Sequence, residues 1–323
     1  MAWNDDGSKQ LEELRPKAFA LAYRMLGSVT DAEDIVQEGL LRLHRALRQD
    51  ASIASPQAYL ATVVTRLCID ELRSARTRRE TYVGEWLPEP LISEPAVEAD
   101  RVELADSLSM AFLVLLETLS PEQRAVFLLR DALDYGYDEI ARIVGKSEAA
   151  CRQLAVRARA RVLERRPRFE VRPQQQDALV DRFFAAIEHG ELDGLEALLA
   201  DDVGLHGDGG GKVPALAQAV QGRRAVARML LSWGRAGRRA GGYIVRRTVV
   251  NGQPGALIEN GAGGIVAVWA LEIEGQRIRA VRSIVNPDKL RHLPNSVDFG
   301  AWLRRGRSKR ARTDGSSNMP ERE

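Results

Sequence analysis

Cysteine is nearly absent from this chain. Cys68 and Cys151 are the two it has in 323 residues. Two cysteines build no disulfide framework and give no metal-ligand spacing. Each falls on an apolar helical face and reads as a small buried hydrophobe. Lysine is scarce as well, six residues against 41 arginines, a bias that GC-rich coding can produce. Long apolar runs are missing. Met110–Leu116 is far too short to span a bilayer. The N-terminus carries Asp5 and Asp6 and no apolar segment, so it does not read as a signal peptide, and the expected compartment is the cytoplasm. A strong charge imbalance is also lacking. The net charge is +2, so any nucleic-acid site must come from local clustering rather than from the global field. What remains is a chain that is 45% hydrophobic, able to bury cores, and long enough for two or three domains.

The most informative stretch is Tyr137–Arg168. Ile140, Ile143 and Val144 share one face of a short helix, Gly145 and Lys146 make a turn, and Ser147 is placed to cap a second helix. In that helix Cys151, Leu154, Ala155, Ala158 and Val162 form an apolar stripe. The other faces carry Arg152, Gln153, Arg157, Arg159, Arg161, Arg165 and Arg166. Two short helices around a glycine turn, the second basic with Arg and Gln near its start, predict a helix-turn-helix. Arg and Gln can read base edges and later arginines can neutralise phosphates. An ordinary amphipathic hairpin with a solvated arginine face is the plain alternative.

Upstream, residues from about Leu11 to Arg79 read as three helices. Gly27 is a C-cap, Thr30 to Glu33 looks like a capping box, and Ser52–Pro56 breaks the second helix from the third. Thr81–Ala99 is acidic and proline-punctuated and reads as a linker, although Trp86-Leu87-Pro88 is too apolar to be wholly solvated. Helices resume at Asp100–Leu119 and at Pro121–Asp131 behind Ser120. Past Arg172, helices are expected at Asp177–His189, Gly194–Leu199 and Gly222–Trp233. Strand-like alternation follows at Tyr243–Val250, Ala256–Glu259, Ile265–Ile273 and Gln276–Val285, which predicts an antiparallel meander in an α+β domain. The tail from Gly300 is rich in Arg and Ser and reads as disordered.

Asp31–Glu38 (DAEDIVQE), Pro56–Arg79 and the helix-turn-helix together resemble regions two and four of bacterial extracytoplasmic-function sigma factors. WLPEP at Trp86–Pro90, DGGGK at Asp208–Lys212 and NPDKL at Asn286–Leu290 resemble the marks of the subgroup with a fused SnoaL-like C-terminal domain. The resemblance implies a multidomain fold: two all-α sigma domains, the second with a helix-turn-helix, and an α+β SnoaL-like cone. The expected boundaries are 8–80 for region two, 81–99 for the linker, 100–170 for region four, 174–295 for the cone and 300–323 for the basic tail.

By that resemblance the partners are core RNA polymerase, through its β′ clamp and β flap, and promoter DNA. Asp31, Asp34, Gln37 and Glu38 would face the clamp, where an acidic, hydrogen-bonding surface suits a basic partner. Arg66, Asp70, Arg73 and Arg76 would meet the minus-10 element, with the Asp50–Ser55 loop holding a flipped base. Ser147, Glu148, Ala149, Arg152 and Gln153 would face bases of the minus-35 element, with Arg157, Arg159 and Arg161 on its backbone. Trp86, Pro88, Asp208, Gly210, Lys212, Asn286, Asp288 and Lys289 are the expected regulatory contacts, and Asn286-Pro287-Asp288 is alternatively just a strand-ending turn.

No cofactor, metal or catalytic residue is expected. Asp208 and His206 are the groups a SnoaL-type isomerase would use, but the three glycines after Asp208 predict a flexible loop. DGGGK is not a phosphate-binding loop, because His206 stands where glycine is needed and Val213 where Ser or Thr is needed. A stand-alone helix-turn-helix regulator with a ligand-sensing domain is the alternative function.

Overall fold

The computed structural model describes residues 5–49, 53–79, 82–93, 109–163 and 173–304. They divide into two compact units: the helices up to residue 163, and residues 82–93 joined with 173–304. The expected tail, the acidic half of the linker, the helix start at Asp100, Arg165 and Arg166 lie outside the described residues, as do Asp50 to Ser52 of the predicted base-holding loop. Of Arg76 the backbone alone is described.

The first unit opens with α1 (Asp5–Leu26), α2 (Val29–Arg48) and α3 (Pro56–Arg79). Gly27 turns the chain with φ +66°, its N–H donating to Tyr23 O at 2.7 Å. The cap of α2 is Ser28, not Thr30: its Oγ accepts from Asp31 N at 3.1 Å, which starts the helix one turn earlier than the Thr-Glu spacing predicts. At Gly39 a Cβ would stand 3.0 Å from Leu60 and 3.1 Å from Val64, so glycine lets α2 lie close against α3. Tyr23, Met25, Leu43, Val64 and Cys68 are fully buried between these helices.

α4 (Met110–Leu116) and α5 (Pro121–Phe127) follow; α5 runs on into a π-turn over Leu128–Ala132. Ser120 and Gln123 cap α5 reciprocally. Buried Arg124 joins the two helical modules: its Nη1 donates to Met25 O at 2.6 Å, at the end of α1, and to Glu117 at 2.7 Å. Burial pulls its guanidinium down to about 9, still charged at neutral pH.

In the second unit, seven strands form one sheet in the order β1-β4-β5-β6-β7-β2-β3. They are β1 (Ile92–Ser93), β2 (Leu199–Asp208), β3 (Val220–Gln221), β4 (Tyr243–Val250), β5 (Gln253–Asn260), β6 (Ile265–Glu274) and β7 (Arg277–Ile284). The expected meander is β4 to β7. Its Asn251-Gly252 turn has φ of +54° and +70°, the pair of positive values that a two-residue hairpin turn of matching twist requires. The sheet is mixed rather than purely antiparallel, since β2 adds parallel to β7. β2 escapes a periodicity reading because LADDVGLHGD puts Asp201 and Asp202 near its start and two glycines within it.

Register shifts in β2, β5–β6 and β6–β7 bend the sheet. The helices α8 (Pro173–His189), α9 (Leu192–Leu198) and α10 (Arg223–Arg239) fill its concave side. Phe183, Leu195, Leu205, Val226 and Leu230 are fully buried there, and Phe184, Trp233 and Trp269 stack in a row with centroids about 6 Å apart.

Arg124→Leu withdraws the donor from the Met25 carbonyl and from Glu117. It should lower the unfolding free energy of the helical unit by about 1–3 kcal/mol, measured by urea denaturation followed by circular dichroism.

Candidate nucleic-acid interface and the Asp208 clasp

The helix-turn-helix forms as its spacing predicts. α6 (Tyr137–Val144) starts where Glu139 accepts from Gly136 N at 3.0 Å and stops at Gly145, φ +71°. Ser147 Oγ accepts from Ala150 N at 3.2 Å and opens α7 (Glu148–Leu163). Cys151 and Ala155 are buried on Val126, Leu129, Ile140 and Ile143. Exposed on the opposite side are Ser147, Glu148, Ala149, Arg152, Gln153 and Arg157. Arg152 pairs with Glu148 at 3.0 Å and lies over the Tyr137 ring at 5.1 Å, which holds its guanidinium extended beside Gln153. Arg159 and Arg161 are engaged differently from the expectation. Arg159 binds Asp131 at 2.8 Å and Arg161 donates to Thr118 O at 2.6 Å, so both tie α7 to the preceding helices.

In the first module Asp31, Asp34 and Gln37 are exposed along α2, and Glu38 pairs with Arg42 at 2.7 Å. On α3, Arg66 donates to Ile143 O at 3.0 Å and to Arg142 O at 2.9 Å. These are carbonyls at the C-terminal end of α6, which have no partner inside the helix and carry the negative end of its dipole. Arg73 reaches Glu122 at 2.7 Å and Asp70 at 3.4 Å. Two arginines expected on the minus-10 element are therefore occupied by the second helical module. Sequence periodicity has no term for such contacts, which span about 50 to 77 residues of chain.

The second unit brings the three short motifs together. Asp208 is the last residue of β2, not part of a flexible loop, and is fully buried. Its carboxylate accepts from Tyr82 Oη at 2.5 Å, Leu87 N at 2.8 Å, Gly210 N at 3.0 Å and Lys289 Nζ at 2.6 Å. Burial, then the hydrogen bond to Asp208, pushes the Tyr82 phenol up, so it stays a donor. Lys289, itself 7% exposed, also donates to Leu87 O and lies 4.1 Å from the Trp86 ring centre and 5.1 Å from that of Tyr82. Pro88 and Leu87 are buried against this cluster.

Asn286 has both roles considered for it. It caps the short α11 (Pro287–Leu290) by accepting from Asp288 N at 3.0 Å, and it donates to Tyr82 Oη at 2.9 Å. A Cβ on Gly210, at φ +60°, would fall 2.2 Å from Asn286, and one on Gly211, at φ +69°, 2.8 Å from Val83; both positions need glycine. Lys212 pairs with Asp288 at the exposed rim. Four contacts were missed from sequence: His206 with Glu85 at 2.7 Å, His292 with Pro90 O at 2.8 Å, Leu91 with the Asn251 turn, and β1 paired on β4. Together they fasten residues 82–93 along the sheet.

The clasp points away from the other feature of this unit, an apolar cavity of about 240 Å³. Gly207 and Ser283 are register partners that line the cavity, whereas His206 and Asp208 lie on the opposite face because side chains alternate along a strand. Asp208 has four donors around two oxygens and no free lone pair facing a substrate space, which is a structural carboxylate rather than a general base.

A family model for sigma-70 region 2 matches residues 11–78, and one for sigma-70 region 4 matches residues 109–162. The chain is 39% identical over 296 residues to the ECF RNA polymerase sigma factor SigJ of Mycobacterium tuberculosis, covering 88% of this chain and 93% of that protein. It is 33% identical over 293 residues to the probable ECF RNA polymerase sigma factor SigI of the same species, covering 90% and 97%. The crystal structure of the M. tuberculosis extracytoplasmic function sigma factor SigJ superimposes with a TM-score of 0.71 at 35% identity, over 90% of this chain and all of that one. The fold and these matches define a sigma factor with two helical sigma domains and an α+β SnoaL-like domain. The chain belongs to the ECF RNA polymerase sigma factors, proteins that bind core RNA polymerase and promoter DNA.

Asp208→Asn keeps the shape of the clasp but leaves Lys289 charged, buried and without its counter-ion. The expected cost is about 2–4 kcal/mol in the C-terminal unit, read as a fall in its thermal midpoint together with faster proteolytic cutting between Tyr82 and Leu91.

Proposed function

We propose that this sigma factor grips a promoter at two points and that its C-terminal domain governs the reach between them. α7 reads the minus-35 element with Arg152 and Gln153 at base edges, beside Ser147, Glu148 and Ala149, and with Arg157 on phosphate. α3 meets the minus-10 element through Arg66, Asp70, Arg73 and Arg76. Asp31, Asp34, Gln37 and Glu38 on α2 face the β′ clamp, and the second helical domain meets the β flap. Work with core polymerase places the protein in the cytoplasm. It acts without catalysis, since Asp208 and His206 are committed to the linker.

The observation that carries the regulatory part is the fastening of residues 82–93. This segment is most of the described connection between α3 and α4. Held on the sheet by Asp208, Lys289 and the Asn251 turn, it leaves a shorter free connection between the two DNA-reading domains than the linker's length allows. The engagement of Arg66 with the end of α6 supports the same reading, because one guanidinium cannot cap that helix and contact DNA together. Release of the clasp lengthens the connection, and separation of α3 from α6 frees Arg66.

Purified core polymerase with the full chain should give promoter-dependent transcripts. Absence of both transcription and co-elution with core would remove the reading. Arg152→Ala and Gln153→Ala should each lose about 1–3 kcal/mol of discrimination at single minus-35 positions, whereas Arg157→Ala should weaken all promoters alike and flatten the salt dependence. Truncation near Lys212, which removes Lys289 but keeps Asp208, should change transcription differently from removal of the whole domain. If both truncations and Asp208→Asn match the full chain, the domain is not regulatory.

A further inference from the structure

The concave side of the C-terminal sheet encloses the cavity of about 240 Å³ described above. Its wall is built by Phe184, Trp233, Trp269 and Trp302 with aliphatic neighbours, and no charged residue is among those lining it. A cavity of this kind, large enough for a small molecule and without polar partners for water, is a costly thing to leave in a core: interiors normally pack with voids no larger than a water. α10 contributes to the space by sequence. Gly234 and Gly237 stand where a Cβ would meet Tyr243, 3.2 Å from its Oη in the first case and 2.6 Å from its ring in the second. The two glycines thus let the Tyr243 ring lie flat against the helix. Its Oη is buried and makes no hydrogen bond to the protein. Burial pushes the phenol up, with the nearby Arg238 guanidinium pulling the other way, so the hydroxyl stays protonated at neutral pH. A buried hydroxyl left without a partner costs about 1–3 kcal/mol.

Size and chemistry narrow the occupant. An apolar cavity of about 150 Å³ accepts benzene; one roughly half as large again fits a molecule of two fused rings. Aromatic walls favour a flat molecule that can stack or lie edge-on. Absence of charge on the wall excludes an ionised ligand, whose desolvation nothing would offset. We propose that this cavity is a binding site for a neutral, flat, apolar molecule about two rings in size, carrying one oxygen that hydrogen-bonds Tyr243. One end of the cavity is closed by Phe299, Trp302 and Leu303, on a single short helical turn capped by Asp298, so entry needs only that turn to move.

Equilibrium dialysis of the full chain against phenol, 2-naphthol and 1-hydroxypyrene tests this. 2-Naphthol should bind at one per chain and more tightly than the smaller and the larger probe. Tyr243→Phe should weaken it about tenfold, and Ala267→Leu, which extends a side chain into the space, should abolish binding without lowering the thermal midpoint. No binding of 2-naphthol by the native chain overturns the proposal, as does unchanged binding in a folded Ala267→Leu chain. Should that variant fail to fold, the size series on the native chain decides, and equal affinity for all three probes overturns it.

Discussion

A buried carboxylate and a buried ammonium hold the C-terminal half of this protein in register with the connection that precedes it. Asp208 is fully buried and Lys289 nearly so. Neither charge is tolerable alone, because removal from water costs each several kcal/mol before any partner is found. Each is made tolerable by the other and by a ring of donors and acceptors from the segment 82–91: the Tyr82 hydroxyl, the Leu87 N–H, the Leu87 carbonyl and the Trp86 ring. The clasp therefore cannot be complete without the linker. Such a bond is a weak source of net stability and a strong source of specificity, since an undocked linker leaves two charges unsatisfied.

The same logic governs the first unit at lower stakes. Arg66 and Arg73 bridge the helical modules from the surface, where an ion pair or cap contributes about 1 kcal/mol or less. Arg124 bridges them from within. An arrangement of two weak exposed bridges around one buried one suits an assembly that must exchange these contacts for DNA. It stores no large barrier at the arginines that are proposed to meet the promoter.

The two faces of the C-terminal sheet carry separate tasks because strand side chains alternate. One residue along β2, from Gly207 to Asp208, changes the environment from an aromatic cavity to an ionic clasp. That separation removes the enzymatic reading of Asp208 and His206, which needs them inside the cavity. It also explains why DGGGK and NPDKL can be fully committed to the linker while the opposite side of the same strands lines the cavity.

Local pattern alone determined a good part of this protein. The helix-turn-helix, with Gly145 and Ser147 at its turn, follows from capping chemistry and one apolar stripe, and the meander β4 to β7 follows from alternation and its turn residues. Both rest on interactions within a few residues, which is why they are readable. The sequence also marked Trp86, Asp208 and Lys289 as one contact set, through motif resemblance rather than through any property of the residues singly. Only the tertiary structure decided the rest. β2 is a strand because β7 offers it a parallel partner, although its own pattern is broken by two aspartates and two glycines. Ser28 caps α2 because the Gly27 turn aims it there. Asp208 is fixed rather than flexible because four donors, one of them 126 residues away, converge on it, and Arg66 turns to α6 because folding sets exposed carbonyls beside it. In each case the deciding partner is remote in sequence, and periodicity, propensity and capping describe only the near ones.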